Sequence, residues 1–512
     1  MKKELIRHVM LSCVAVMASV GGMSCSSRDG DAATAVPHEP TISPDYSGLV
    51  LPPNIAPLSF AIREEGKAFR VDILCDKSTP IRLKNTSGHM RIPLRPWRAL
   101  LRDHQGQALH FDITVQGKDG TWRQFKRITN TIAQHPIDPT LVYRFMKPIY
   151  NWWKDIGIYQ RQLANYDRSC VLKGASFGQG CLNCHSFVGN DAKTMTIGLR
   201  SRTHGSHTLL ARGGQVDKIG AKWGYTAWHP SGLMATYSIN KVRQFFHVGG
   251  MEVRDVVDLD SALACYYVAD GRVVSPPVLA HKDRLETYPT WSPDGLFLYF
   301  CSAPILWEDD TVPPKKYDQV QYDLCRVAYD PATDQWGAVE TVLSANDTGL
   351  SILLPRISPD GRFLMFCMCP YGCFPIYQPG SDLYLMDLST GAYQTLAINS
   401  EYSESWHSWS SNSRWIAFSS KRRGGLLTRT YFSYVDENGT AHKPFVLPQK
   451  DPTAYDSMMH TFSVPELITE RINVPVSTLA RAARSEPSVT VALPLTGATI
   501  KVEPSERYPD RE

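Results

Sequence analysis

The feature that most constrains the fold is a short motif that recurs four times in the second half of the chain. Each copy ends in a Ser-Pro-Asp-Gly type of turn, or a variant of it, and an apolar segment follows within two residues. The copies are Ala227–Gly232, Thr290–Gly295, Arg356–Gly361 and Ser408–Ser413. In the first three copies proline presets φ and glycine accepts positive φ, which predicts a tight turn between two strands. The fourth copy has Ser-Ser-Asn-Ser at these positions.

The spacing of these turns indicates the size of the repeating unit. Successive copies lie roughly 50 to 65 residues apart, which is room for about four strands and matches a β-propeller blade with its loops. A weaker copy, His185–Asp191 followed by Thr194–Leu199, has Val188-Gly189-Asn190-Asp191 in place of the turn motif. The sequence therefore predicts a mainly β chain with a propeller of five to seven blades over residues 186–468.

The segment with the most specific chemical motif is Cys181-Leu182-Asn183-Cys184-His185. Two thiols with two residues between them can bond to the two vinyl groups of one haem, and the adjacent histidine can ligate its iron. The sequence predicts one covalent haem c on Cys181 and Cys184, with His185 as the proximal ligand. In the predicted fold this segment stands at the entrance to the first blade.

Two alternatives for the same segment stay open. A bare CxxC is also a redox disulfide motif, and two cysteines with a histidine could be part of a zinc site. Further zinc ligands could come from Cys367, Cys369 and Cys373, which could equally form a local disulfide or belong to a strand core.

The sixth iron ligand decides what a haem here would do. Methionine or histidine would fill that position for electron transfer, whereas an open position permits binding of small ligands. The main candidates are His247 and Met195, and further candidates are His204, His207 and His229.

The N-terminus carries an export signal. Met1–Lys3 and Arg7 form a basic segment, and Val9–Val20 is mostly apolar but too short to span a bilayer. Cys25 follows directly after small residues, as in a bacterial lipoprotein. We expect residues 1–25 to be a lipoprotein signal with lipid attachment at Cys25, residues 26–44 to be a flexible tether, and the protein to be exported to the periplasm or outer membrane.

Three further segments complete the predicted organisation. Residues 45–130 alternate apolar and polar side chains, with a hairpin turn at Gly117–Gly120, and predict a small β-sandwich. Residues 131–185, rich in aromatics from Leu141 to Leu163, predict a short helical segment that bears the haem motif. Residues 469–512 predict a disordered tail.

The repeats resemble those of TolB-like propeller proteins of the bacterial periplasm. Four stretches are similar to exported TolB-like proteins with a single c-type haem motif: Pro53–Leu58, Ile156–Arg161, Gly180–Phe187 and His407–Ile416. The resemblance implies a propeller, export and one covalent haem, and it implies no particular substrate.

Composition narrows the function. The formal net charge is +4 and aromatic residues make up 10% of the chain, with no basic cluster interleaved with aromatics, so nucleic acid is not an expected partner. No Ser-His-Asp order or phosphate loop supports a hydrolase. We expect an electron-transfer lipoprotein whose propeller docks an envelope redox partner. The alternatives are a binding or scaffold module with a structural or sensory haem, and a haem enzyme such as a peroxidase.

Overall fold

The computed structural model describes residues 33–147, 155–249, 254–307, 311 and 313–488. This part of the chain is mainly β and contains many small sheets. The predicted signal peptide and Cys25 lie outside the described residues. The predicted flexible tether over residues 26–44 is wrong where it is described, because Thr34–Ala35 and Ile42–Ser43 are strands paired with later strands. None of the helices in the described ranges is long and apolar enough to cross a membrane.

The first 100 described residues form two sheets and a helix. A three-stranded sheet contains Ile42–Ser43, Phe60–Ile62 and His89–Met90. A seven-stranded sheet contains Thr34–Ala35, Val50–Leu51, Ala68–Leu74, Ile81–Asn85, Ala108–Gln116, Trp122–Gln124 and Ile128–Ile132. Burial alternates residue by residue along Ala68–Leu74 and Ala108–Gln116, as expected for strands with one face against the core.

A helix at Leu94–Asp103 distinguishes this region from the small β-sandwich that we expected. Pro93 precedes its first turn, and Trp97, Leu100 and Leu101 are its buried residues. Their spacing of three and four positions places them on one helix face. The strand before this helix, His89–Met90, is only two residues long.

The rest of the chain builds six antiparallel sheets of four strands. Sheet 1 contains Thr461–Ile468, Thr140–Met146, Gly157–Gln162 and Arg168–Lys173; sheet 2 contains Cys181–Val188, Asp191–Ser201, Gly205–Arg212 and Gln215–Ile219; sheet 3 contains Gly224–Trp228, Met234–Phe246, Arg254–Tyr267 and Val273–Val274. Sheet 4 contains Arg284–Trp291, Phe297–Pro304, Asp323–Asp330 and Gln335–Leu343; sheet 5 contains Ser351–Ile357, Phe363–Cys369, Asp382–Asp387 and Tyr393–Thr395; sheet 6 contains Glu404–Trp409, Trp415–Ser420, Arg429–Tyr434 and Phe445–Val446.

The first strands of the six sheets contact one another in the order 1 to 6, and the first strand of sheet 6 contacts that of sheet 1. The arrangement is propeller-like. Sheet 1 combines the late strand Thr461–Ile468 with three strands from 140–173, so the two ends of this region are held together by a strand ladder. Short helices lie at Ala345–Thr348 and Ala454–Ser457, with 3-10 turns at Gly174–Phe177, Pro277–Leu279, Tyr317–Gln319 and Pro375–Tyr377.

The recurring turn motif joins the first and second strands of four of these sheets, as the sequence predicts. In sheets 4 and 5 the serine hydroxyl accepts the backbone N–H of the residue five positions on, at 2.9 Å, in Ser292–Phe297 and Ser358–Phe363. The following glycines, Gly295 and Gly361, have φ of 76° and 75°. The weaker copy in sheet 2 is also a hairpin, with Gly189 and Asn190 at φ of 52° and 64°.

The helical segment expected over residues 131–185 is wrong for the described residues. Thr140–Met146, Gly157–Gln162 and Arg168–Lys173 are strands of sheet 1, and the haem motif begins the first strand of sheet 2. Thr140–Met146 is paired on both sides, so its apolar residues are nearly continuous. Periodicity cannot distinguish such a short buried strand from a helix.

The disordered tail is also wrong where the chain is described. Val476–Arg484 is a helix with Leu479 and Ala483 buried, and these two side chains pack into the core of sheets 1 and 2. Lys218 donates from Nζ to the Ala483 and Ser485 carbonyls at 3.1 and 2.8 Å, which satisfies the open C-terminal end of this helix. Residues 489–512 lie outside the described ranges.

Candidate functional site

Each of the six first strands carries a β-bulge at the same place, where two of its residues oppose one residue of the second strand. The bulged pairs are 184–185, 225–226, 288–289, 354–355, 406–407 and 464–465. Five of the leading residues have φ between 45° and 55°: Tyr225, Tyr288, Leu354, Trp406 and Val464. Bulky residues rarely adopt positive φ, and such strained positions cluster at functional sites.

The bulges surround a small cavity of about 60 Å³. Its wall is largely aromatic and includes two guanidinium groups. The lining residues are Arg144, Asn183, His185, Tyr225, Thr226, Tyr288, Pro289, Leu354, Pro355, Arg356, Phe374, Trp406 and Val464. The ring of Tyr225 lies 4.2 Å from that of Tyr288 and 5.9 Å from that of Trp406, measured between centroids. Every one of the six sheets contributes to this wall.

His185 presents a buried imidazole to this cavity. The residue is 4% exposed, and neither Nδ1 nor Nε2 has a hydrogen-bond partner among the described residues. Burial, together with the charges of Arg144 and Arg356, lowers its pKa to about 3. The backbones of Val142 and Val464 oppose this lowering, but neither meets the geometry of a hydrogen bond. The ring is therefore neutral at physiological pH, with a lone pair free to bind a ligand.

Two arginines make the wall electropositive. Arg356 pairs with the Glu466 carboxylate at 2.7 Å. Arg144 donates from Nε to the Ser463 hydroxyl at 3.1 Å and from a terminal nitrogen to the Asn183 side-chain carbonyl. Among the described residues no carboxylate lies within ion-pair distance of Arg144. Its charge is thus available to an anionic group in the cavity.

The two motif cysteines occupy different environments. Cys181 is 2% exposed and packs with Met146 and Ile156, and it does not line the cavity. The backbone of Cys184 is the leading bulge residue of sheet 2, and its side chain lies outside the described part. Positions 181 and 184 are three residues apart and would point to opposite faces of a regular strand. The bulge at 184–185 breaks that alternation.

The other candidate ligands do not line the cavity. Met195 is buried in the core beside the paired residue Phe187, and His247 lies 3.5 Å from the Asp255 carboxylate at the far end of sheet 3. His229 contacts the Ser231 hydroxyl and the Gly295 carbonyl. His204 and His207 line a separate polar pocket next to the helix Val476–Arg484.

The cysteines of the zinc and disulfide alternatives are free, buried thiols. The sulfur atoms of Cys367, Cys369 and Cys373 face the backbone carbonyls of Glu404, Tyr371 and Val256. Across the described ranges no group of three or more His, Cys, Asp or Glu side chains is placed to hold a metal ion.

The site residues predicted from the sequence include neither the arginines nor the aromatic residues of the wall. A sequence pattern does indicate part of the wall, because in three repeats the first residue of the bulge lies three positions before the tryptophan of the turn motif. Tyr225, Tyr288 and Trp406 precede Trp228, Trp291 and Trp409 in this way. Arg144 lies on the second strand of sheet 1, outside the repeats, and no sequence motif predicts its role.

No family model matches the sequence, and no curated protein matches it significantly. Solved structures that resemble the chain include hydrazine synthase of Kuenenia stuttgartiensis, with 12% identity, a TM-score of 0.30 and coverage of 51% of this chain and 64% of that one, which is less than two thirds of its length. A putative 6-phosphogluconolactonase from Bacteroides uniformis has 10% identity, a TM-score of 0.33 and coverage of 77% and 99%. An oligogalacturonate lyase has 12% identity, a TM-score of 0.29 and coverage of 73% and 99%. These proteins are propeller-like, and likeness at this level says nothing about the site.

Proposed function

We propose that this chain is an exported c-type haem protein in which Cys181 and Cys184 form the thioether bonds and His185 ligates the iron. The observation that carries the proposal is the His185 imidazole, which is buried, neutral and without a hydrogen-bond partner beside a cavity. Leaving both nitrogens of a buried ring unpaired is costly unless a ligand occupies one of them. When bound, haem c supplies reversible one-electron chemistry.

The chemistry of the cavity wall suits the rest of such a group, and because the cavity measures about 60 Å³ its side chains would have to move apart to admit the macrocycle. Haem has a broad apolar face, and Tyr225, Tyr288 and Trp406 supply aromatic surface that excludes water. Haem also has carboxylate side groups, which the free charge of Arg144 can attract. The low pKa of His185 keeps its ring in the neutral form that binds iron.

We assign the six sheets to a six-bladed β-propeller that serves as the scaffold of the haem. The ring of contacts between first strands supports this assignment, as does the ladder that joins Thr461–Ile468 to Thr140–Met146. Residues that are far apart in the sequence then line one cavity with His185, so the site depends on the whole ring of sheets.

The proposed role is electron transfer to an envelope partner that docks on the propeller. The export signal and a lipid on Cys25 would hold the protein at the periplasmic or outer-membrane surface, where haem c is ordinarily attached and used. We expect a reversible midpoint potential and electron exchange with an envelope redox protein.

The proposal is tested with protein produced alongside a haem-attachment system, as wild type and as His185→Ala. Wild type should show a reversible redox couple, and His185→Ala should retain the thioether-bound haem but change its absorption spectrum and potential. His204→Ala, outside the cavity, is the matched control and should behave as wild type. An unchanged spectrum in His185→Ala would remove His185 from the iron.

A further inference from the structure

A polar pocket lies on sheet 2, beside the helix Val476–Arg484, which contacts the third and fourth strands of that sheet. It has a volume of about 360 Å³ and shares no residue with the central cavity. The third and fourth strands pair only as far as Thr208 and Ile219, so Gly205–His207 extends beyond the fourth strand. The residues that follow the helix, Ser485–Pro487, form another part of the wall. A pocket of this volume can hold a small organic molecule.

Two side chains give this pocket a positive charge. Lys218 is 7% exposed and forms no ion pair with a carboxylate of the described chain. Its Nζ donates to the Ala483 and Ser485 carbonyls, which satisfies the negative end of the helix and leaves one of its three N–H groups for a ligand. Arg484 donates to the Ser176 carbonyl at 3.1 Å, and its other N–H groups have no hydrogen-bond partner among the described residues.

His207 adds a buried imidazole to the lining. The residue is 1% exposed, and neither ring nitrogen has a hydrogen-bond partner in the described part of the chain. Burial, together with the charge of Lys218, lowers its pKa to about 4, so at neutral pH the ring has one N–H and one lone pair. The backbones of His204 and Gly205 oppose this lowering, and a backbone carbonyl can only accept. The lone pair of His207 therefore lacks a donor, which a hydroxyl group of a ligand can supply.

We propose that this pocket binds a small organic anion that also carries hydroxyl groups, such as a sugar acid or a polyol phosphate. The carboxylate or phosphate of the ligand pairs with Lys218 and Arg484, and one ligand hydroxyl donates to His207. Glu486 also lines the pocket, and its carboxylate repels the anion. The two cations outweigh this single carboxylate, so the net charge of the pocket favours an anion.

The test is calorimetric titration of the mature protein with threonate, butyrate, glycerol phosphate and glycerol at neutral pH and constant ionic strength. Threonate and butyrate have the same chain length and charge, and only threonate has hydroxyl groups. We expect threonate or glycerol phosphate to bind at least about fivefold more tightly than butyrate and glycerol, because only the first two supply both groups. The tighter of the two identifies the oxyanion. Binding of neither, or equal affinity for butyrate or glycerol, would overturn the proposal.

Charge variants test the sign of the pocket. Arg484→Gln should weaken binding about tenfold. Arg481→Gln is its matched control, because it removes the same charge from the same helix at a position that does not line the pocket, and it should bind within about twofold of wild type. Glu486→Gln removes the repelling carboxylate and should tighten binding severalfold. Equal losses in the two arginine variants, or weaker binding in Glu486→Gln, would contradict an anion site.

His207→Leu separates the binding role of this residue from its contribution to the fold. It replaces two unpaired nitrogens with an apolar side chain, so the temperature of thermal unfolding should not fall, while the affinity for the hydroxylated anion should fall about fivefold. If this variant does not fold, Glu486→Gln still decides, since Glu486 is exposed. Affinity equal to that of wild type in folded His207→Leu would overturn the assignment of the ligand hydroxyl.

Discussion

The first strands of sheets 2 and 6 carry the same residue in the same place. Asn183-Cys184-His185-Ser186-Phe187 and Ser405-Trp406-His407-Ser408-Trp409 align at their bulges, so His185 and His407 are equivalent. Both are buried, and desolvation lowers the pKa of each to about 3. Burial and pKa alone do not distinguish them.

The hydrogen bonds of the two histidines distinguish His185 from His407. In His407, Nε2 lies 3.1 Å from the Met365 carbonyl and Nδ1 lies 3.8 Å from the Cys367 sulfur, whereas both nitrogens of His185 lack a partner among the described residues. His407 is part of the packing between sheets 5 and 6, and His185 faces a cavity. The comparison teaches that burial alone does not identify a candidate ligand. His207 is also buried with both ring nitrogens unpaired among the described residues, but it lies outside the central cavity, so His185 is distinguished by its unpaired nitrogens and its place in that cavity together.

The largest expected effect is on haem attachment. Cys181→Ser combined with Cys184→Ser should abolish covalent haem, because no thioether can then form on sheet 2. Cys367→Ser combined with Cys369→Ser changes two buried thiols of sheet 5 and should leave haem attachment unchanged. In-gel haem staining and intact mass distinguish the two pairs, and equal loss of haem in both would contradict the assignment.

The second prediction concerns the stability of the haem-free protein. His407→Ala removes a hydrogen bond and leaves the Met365 carbonyl unpaired in a new cavity, so it should cost ~2 to 4 kcal/mol. His185→Ala removes no hydrogen bond and two unsatisfied nitrogens, so its cost should be within ~1 kcal/mol. Urea unfolding measures both, and a His185→Ala cost as large as that of His407→Ala would erase the distinction.

How much of the fold and of the candidate site the sequence predicts depends on how far apart in the sequence the interacting residues lie. The turns and the strands that follow them are local patterns, and from them the sequence predicts the hairpins of sheets 3 to 6. Thr140–Met146 is a strand and not the predicted helix, because it pairs with Thr461–Ile468, which is distant in sequence. The cavity is assembled in the same way, with Arg144 and Phe374 brought to His185 by sheets remote in sequence.

The third prediction concerns the turn that begins after Val188 in sheet 2. Asn190 donates from its side chain to the Trp409 and Leu467 carbonyls at 2.9 and 2.7 Å, which ties sheet 2 to sheets 6 and 1. Asn190→Ala loses both bonds and places alanine at positive φ, so it should cost ~2 kcal/mol. Asn190→Gly loses the bonds without the backbone strain. If both variants unfold at the same urea concentration, strain at this turn is negligible.

The smallest expected effect is on the acid stability of the haem-free protein. Since the pKa of His407 falls from 6.5 to about 3 on folding, the unfolded chain binds an extra proton between these values. Stability is therefore complete above pH 6.5 and is lost as pH falls toward 3. His407→Gln should reduce the loss between pH 6 and pH 5 by ~1 kcal/mol. His185→Gln should do the same, and an unchanged slope in either variant would contradict the lowered pKa of that histidine.

The central claim is that the segment Cys181–His185 carries haem c at the centre of a propeller. It is tested most directly by a pyridine haemochrome spectrum and an intact mass of wild-type protein matured with a haem-attachment system. The account predicts a c-type haemochrome and a mass increased by one haem per chain. A chain of unmodified mass with no haemochrome band would contradict it and return the segment to the zinc or disulfide alternatives.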